Sequence, residues 1–353
     1  MPRFAFVFAF PMIVVASQAV ARAEAPVGAV VESTLATAGE RIRQFAFDGD
    51  DATSYETEAA GEGDHAVALT FDAPVQVGSV EVRTGDDGGA GRLDVGSLEG
   101  SADGKAFEKL ADFREGAAKA EPGRKLKAVR VVPGKDAKGP LVVREFLVDS
   151  EPEVRRFAYP VEIVVDELDA PGMRGWAEKA ARECERFYDR INEALKSDGY
   201  RPARVIRMSL KNDIDVPAYA GGGRITGSVK WFKDHPDDVG AMIHETAHIV
   251  QRYRGRRNPN PGWLVEGVAD YVRFVLYEPE NIGGLNPERA KYDDSYRVTA
   301  RFLDYVVKKY DPDFVLKVNR AMREGTYSDD LFKQATGKPK EELGAEWKAS
   351  LKK

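Results

Sequence analysis

The stretch His244-Glu245-Thr246-Ala247-His248 constrains this 353-residue chain more than any other. Two histidines four positions apart lie on one face of a helix, close enough to share one metal ion. Pro236 suits a first helical turn, Asp237 and Asp238 complement the positive end of the helix dipole, and Gly255 is placed to end it. Ala247, Ile249 and Val250 are core-type residues around the pair. Buried imidazoles beside an acid need a partner, and a metal supplies one. The chain has four histidines, so half of them sit in this motif. Glu245 follows the first and points toward the open side of such a site, where a general base takes a proton from water.

A third ligand must follow. The metzincin pattern continues with a glycine and a third histidine, where this chain has Gln251 and Arg254, so that class is excluded. The segment Pro261-Gly262-Trp263-Leu264-Val265-Glu266-Gly267-Val268-Ala269-Asp270-Tyr271 supplies an acid instead. Glu266 comes 18 positions after His248, and Gly255, Pro259 and Pro261 let the chain turn back between them. Asp270 lies one helical turn further on the same face. There it is placed to accept the free N–H of a ligand histidine, fixing its tautomer. Glu266 is the expected ligand and Asp270 its support, although the two are able to exchange roles.

The ends of the chain differ in character. Arg3, the apolar run Phe4 to Ala16 and the small-residue registers from Ala19 to Ala25 read as a signal peptide over residues 1–25. An apolar run of about 13 residues is too short to span hydrocarbon. The expected location is therefore periplasmic or extracellular, with no membrane span. A formal net charge of -6 removes the electrostatic drive toward nucleic acid. The one cysteine, Cys184, excludes an internal disulfide and falls in an amphipathic helical pattern from Trp176 to Leu195, which suits a small buried residue.

Residues 27–150 alternate apolar and polar in short runs separated by Gly/Asp clusters, which predicts an all-β sandwich. The runs include Ala66 to Phe71, Val77 to Arg83, Leu126 to Val132 and Leu141 to Val148. Phe47-Asp48-Gly49-Asp50-Asp51-Ala52-Thr53-Ser54-Tyr55, Glu99 to Phe107, Val129-Arg130-Val131 and Arg144 to Val148 stand in the order of the discoidin (F5/8 type C) family's landmarks. The segment resembles that family, which implies a galactose-binding-like jelly roll and, through its loops, a glycan or cell-surface ligand. Tyr55 stands where many members carry Trp. The turn Asp48 to Asp51 offers oxygen ligands for Ca²⁺, or is a solvated acidic turn.

From residue 155 to 353 the pattern turns α+β. Strands Tyr159 to Val165, Arg204 to Leu210 and Arg224 to Phe232 precede a mostly helical remainder. His244 to Gln251, Leu264 to Arg273 and Tyr296-Arg297-Val298-Thr299-Ala300-Arg301-Phe302-Leu303-Asp304-Tyr305 resemble the basic secretory protein family, placed among gluzincin-like peptidases. The resemblance implies a zincin-like metallopeptidase domain, with His244, His248 and Glu266 on Zn²⁺, Glu245 as base, and a peptide or protein substrate. It also suggests Tyr296 as donor to the oxyanion, with Tyr292 and Tyr253 as rivals. Arg224 to Phe232 resembles the edge strand that pairs with substrate, and Ala218 to Gly221 its partner in lining the cleft. The competing expectation is a non-catalytic carbohydrate-binding or cell-surface protein that keeps the second domain as a scaffold.

Overall fold

The computed structural model describes residues 25–59, 65–137, 139–253, 260–294 and 296–352. Residues 1–24 of the expected signal peptide, and the turn residues Gly255 and Pro259, lie outside the described residues. Among those described, no helix is long and apolar enough to cross a membrane.

Two hydrophobic cores form. The first gathers buried residues from Ala29 to Phe157 inside an antiparallel β architecture. Its strands are β1 (Ala29–Ser33), β2 (Tyr55–Glu56), β3 (Val67–Thr84), β4 (Gly96–Ser101), β5 (Glu108–Asp112), β6 (Ala117–Ala120), β7 (Arg124–Pro133) and β8 (Val142–Glu151). The two runs expected at Ala66 to Phe71 and Val77 to Arg83 are one strand, β3. It stays extended through the exposed Asp72-Ala73-Pro74, where the ladder to β7 shifts register. Pro74 has no N–H to give, so pairing is interrupted there while the backbone runs on. β3 pairs with β1 before this point and with β6 and β8 after it, so one strand serves both layers. Tyr55 is fully buried and donates to the Leu35 carbonyl, which makes it a core residue.

The second core runs from Val161 to Trp347. Here β9 (Glu162–Leu168), β10 (Val205–Lys211), β11 (Ala218–Gly221) and β12 (Arg224–Ser228) form a four-stranded sheet in the order β11-β12-β10-β9, and α1 (Arg174–Ala194) connects β9 to β10. β9, β10 and β12 are parallel, and β11 returns antiparallel along the outer edge. Gly222 and Gly223, both at positive φ, make the two-residue hairpin turn that allows this. Cys184 lies fully buried in α1, and burial pushes its thiol up to about 12, as suits an inert packing residue.

The helices that follow are α2 (Val229–Asp234), α3 (Gly240–Gln251), α4 (Gly262–Tyr271), α5 (Tyr296–Lys309), α6 (Phe314–Glu324), α7 (Asp330–Thr336) and α8 (Lys340–Ser350). The expected strand Arg224 to Phe232 stops at Ser228, whose Oγ accepts the Trp231 N–H and starts α2. α4 continues into one π-helical turn, Val272–Tyr277. α4 and α5 touch at Gly267, where a Cβ would overlap the Thr299 side chain.

The two cores meet through buried charge. Arg43, from the β domain, pairs with Glu162 on β9 at 3.1 Å and with Glu185 on α1 at 3.0 Å. Thr37 Oγ1 and the Arg43 N–H also donate to Glu162, and Ile163 N–H and Arg182 to Glu185.

Candidate metal centre and cleft

α3 carries the motif but begins at Gly240, four residues beyond the predicted first turn. Pro236 to Val239 form the approach, and the Asp238 carboxylate accepts the Ala241 N–H at 3.3 Å. Met242, Ile243, Ala247 and Val250 are buried, so three sides of α3 face protein and the histidine face opens to a cleft. At its end Arg252 takes a left-handed conformation.

His244 Nε2, His248 Nε2 and a Glu266 oxygen converge from α3 and α4. The imidazole nitrogens are 3.0 Å apart, and Glu266 Oε2 lies 3.2 Å from one and 3.3 Å from the other. Among the described residues, these three form the one group of His, Cys, Asp or Glu with ligand atoms within 4.8 Å of one another. Each other ring nitrogen has its own acceptor. His244 Nδ1 faces Asp270 Oδ1 at 2.6 Å, and His248 Nδ1 faces Gln251 Oε1 at 2.7 Å. Gln251 Nε2 donates to the Val265 carbonyl at 2.9 Å, so its oxygen must be the atom turned to His248. Both Nδ1 atoms therefore carry a proton, and both Nε2 atoms are turned toward Glu266. Two imidazole Nε2 atoms and a carboxylate in this arrangement are the donor set zinc takes.

Without a metal, these groups hold one another. Burial opposes the His244 charge, but Asp270 and Glu266 outweigh it and raise its pKa to about 9. Burial likewise opposes ionisation of Glu266, yet hydrogen bonds from both histidines bring it to about 2. For Glu245 burial wins and the pKa rises, although the histidines and the Ala220 N–H favour the carboxylate.

The cleft has a volume of about 1170 Å³ and holds Glu245 beside the three convergent residues. Tyr296 also lines it, as the first residue of α5, with its ring 6.2 Å from the His244 ring and φ at 48°. Of its sequence rivals, Tyr253 is turned away and donates to Asn319, while Tyr292 packs on Trp263 and Phe302. The edge strand is β11, not the predicted Arg224 to Phe232 segment, since β12 has β11 on one side and β10 on the other.

In the sequence, Gln251 excludes a three-histidine class and stands in the family motif, with no role for its side chain. Its spacing of three from His248 was the signal for its second use, because residues three apart on a helix are neighbours. Arg273, on the π-helical turn, was missed too. It joins Asp238 and Glu278, both at 2.5 Å, and so ties the end of α4 to the start of α3.

Residues 161–347, more than half the chain, match the family BSP, described as peptidase of plants and bacteria. The chain belongs to this family. The BSP segment contains every residue placed at the cleft so far. No curated protein matches the chain. Solved structures similar to it include the module CBM32-1 of a family 31 glycoside hydrolase from Clostridium perfringens. That module is 15% identical, covers 34% of this chain and 92% of its own, and has a TM-score of 0.31. A second module of that organism, CpGH89CBM32-5, was solved with GalNAc-β-1,3-galactose, at 18% identity, 34% and 94% coverage and a TM-score of 0.30. The family 32 module of its NanJ, solved with galactose, is 12% identical, with 34% and 92% coverage and a TM-score of 0.30.

In the β domain, the acidic turn is closed on itself. Asp48 accepts from Asp50 N–H and Thr53 Oγ1, and the Gly49 N–H donates to Glu145 Oε2 at 3.2 Å. Glu145 Oε1 is buried with no protein partner. Burial first, then Asp48, pushes the Glu145 carboxyl up to about 8.

Proposed function

We propose that this protein is an exported zinc-dependent peptidase, with His244, His248 and Glu266 as the metal ligands. The observation that carries the reading is the convergence of two Nε2 atoms and a carboxylate while Asp270 and Gln251 hold the two Nδ1 protons. Zinc bound there supplies Lewis-acid polarisation of the scissile carbonyl and of water. Glu245 takes the proton of the attacking water and delivers it to the leaving amine. Its burial and raised pKa favour the first transfer, because a carboxylate that binds a proton more tightly is the stronger base. The Tyr296 hydroxyl donates toward the oxyanion. Glu266, with burial behind it, raises the Tyr296 pKa and keeps it a donor. An extended peptide adds to the free edge of β11, in the antiparallel sense that gives the stronger ladder.

Metal analysis and a peptide-library assay test this together. The expected result is one zinc per chain and cleavage that a chelator abolishes. Glu245→Gln should keep the zinc and lose about 10²- to 10⁴-fold in rate. Cleavage by zinc-free protein, or an undiminished rate in that variant, sinks the reading.

The buried, unpartnered Glu145 Oε1 beside Asp48 favours a Ca²⁺ site in the β domain. A calcium-dependent rise in Tm that disappears in Glu145→Gln is expected, and an equal rise in both proteins refutes it. The rival reading, a carbohydrate-binding or cell-surface protein with a silent second domain, predicts glycan-array binding by the full chain without peptide cleavage.

A further inference from the structure

The cleft has a direction. Its lining includes Val216, Pro217 and β11 only as far as Ala220, so it extends past the N-terminal end of the edge strand. A chain of contacts continues it. Pro217 O accepts Ser228 N–H, and Ser228 caps the helix that carries Trp231. Trp231 Nε1 donates to Asp238 Oδ2 at 2.8 Å, and Arg273 binds the other oxygen of Asp238. Arg273 and Arg297 then both stand over the ring of Phe274, at 4.4 and 5.5 Å. A peptide antiparallel to β11 has its C-terminal half at this end, so these residues face the leaving side of the scissile bond.

The two arginines differ in one respect. Arg273 is held between Asp238 and Glu278, which compensate its charge. Arg297 is exposed, follows Tyr296 directly, lines the cleft and has no carboxylate partner among the described residues. The face of Phe274 supports its guanidinium, which restricts its orientation and leaves its N–H fork for an incoming group. A planar fork of this kind matches a carboxylate in bidentate geometry.

We propose that Arg297 is a specificity-determining residue that binds a substrate carboxylate on the leaving side of the cleaved bond. The proposal rests on the peptidase reading above. The carboxylate comes either from the peptide's own C-terminus or from an Asp or Glu side chain, and matched peptides separate the two sources.

The experiment uses the zinc-loaded full chain and paired peptides, free acid against C-terminal amide, and Asp or Glu against Asn or Gln on the leaving side. A carboxylate in one of these pairs is expected to raise kcat/KM about tenfold, the size of a charge-assisted hydrogen bond. Arg297→Gln should erase that preference through KM, bringing each carboxylate peptide down to its amide or neutral partner, and Arg297→Lys should restore part of it. Arg297→Glu should shift preference toward Lys at the same position. Equal rates within both wild-type pairs, or an equal loss on every peptide in Arg297→Gln, overturns the proposal. The same pairs titrated onto Glu245→Gln read binding without turnover. If the zinc-loaded wild type cleaves nothing, the peptidase reading fails and this titration decides the carboxylate subsite.

Discussion

Gln251 Oε1 accepts from His248 Nδ1 at 2.7 Å, one turn along the same helix, while its amide nitrogen is spent on the Val265 carbonyl next to Glu266. One side chain thus sets the tautomer of a histidine on α3 and joins it to the segment carrying the third convergent residue. Gln251→Ala should weaken zinc binding about 10- to 100-fold, as losses of such outer hydrogen bonds do. Chelator competition measures this. An unchanged zinc Kd would show that His248 is oriented by packing alone.

Gly267 lies against Thr299 where α4 crosses α5, and it directly follows Glu266. Adding a methyl group there forces the helices apart, at a cost of about 1–3 kcal/mol. Gly267→Ala is therefore expected to lower Tm and to weaken zinc binding together, because Glu266 and the start of α5 move with the two helices. A variant with wild-type Tm and zinc affinity contradicts the close approach.

Arg43 reaches from the β domain to two glutamates that are nearly inaccessible, Glu162 and Glu185. Burial raises the Glu185 pKa, against the pull of Arg182 and Arg43. Removing one partner of such a group strands a buried charge and costs about 3–5 kcal/mol. Arg43→Ala should lower the unfolding midpoint of the second domain, read in denaturant by the fluorescence of its tryptophans. An unchanged midpoint would mean that the two cores are energetically independent.

Glu145 predicts a pH slope in calcium-free buffer. Its folded pKa, about 8, lies above the ordinary value of 4.5, so the folded protein holds this proton more tightly than the unfolded chain. Its contribution is fully present below pH 4.5 and is lost as pH rises through 8. After screening by solvent at the turn, the loss is on the order of 2 kcal/mol. Glu145→Gln should flatten the wild-type decline in stability between those values. Parallel pH profiles for the two proteins would rule this out.

By itself, the sequence determined what local periodicity and short spacing encode. The four-residue interval put His244 and His248 on one face, and the next interval of four put Asp270 behind Glu266. Alternation marked the β domain, although it split β3 in two, because Pro74 interrupts pairing without ending the strand. Tertiary structure alone decided which strand is the free edge. The glycine hairpin lies between two equally plausible strands, and only the parallel pairing of β12 with β10 shows which is covered. It also decided that Arg273 is neutralised while Arg297 has no carboxylate partner among the described residues, and that Arg43 pairs with residues more than a hundred positions away. These outcomes depend on which distant groups meet in three dimensions, and spacing along the chain carries no record of that.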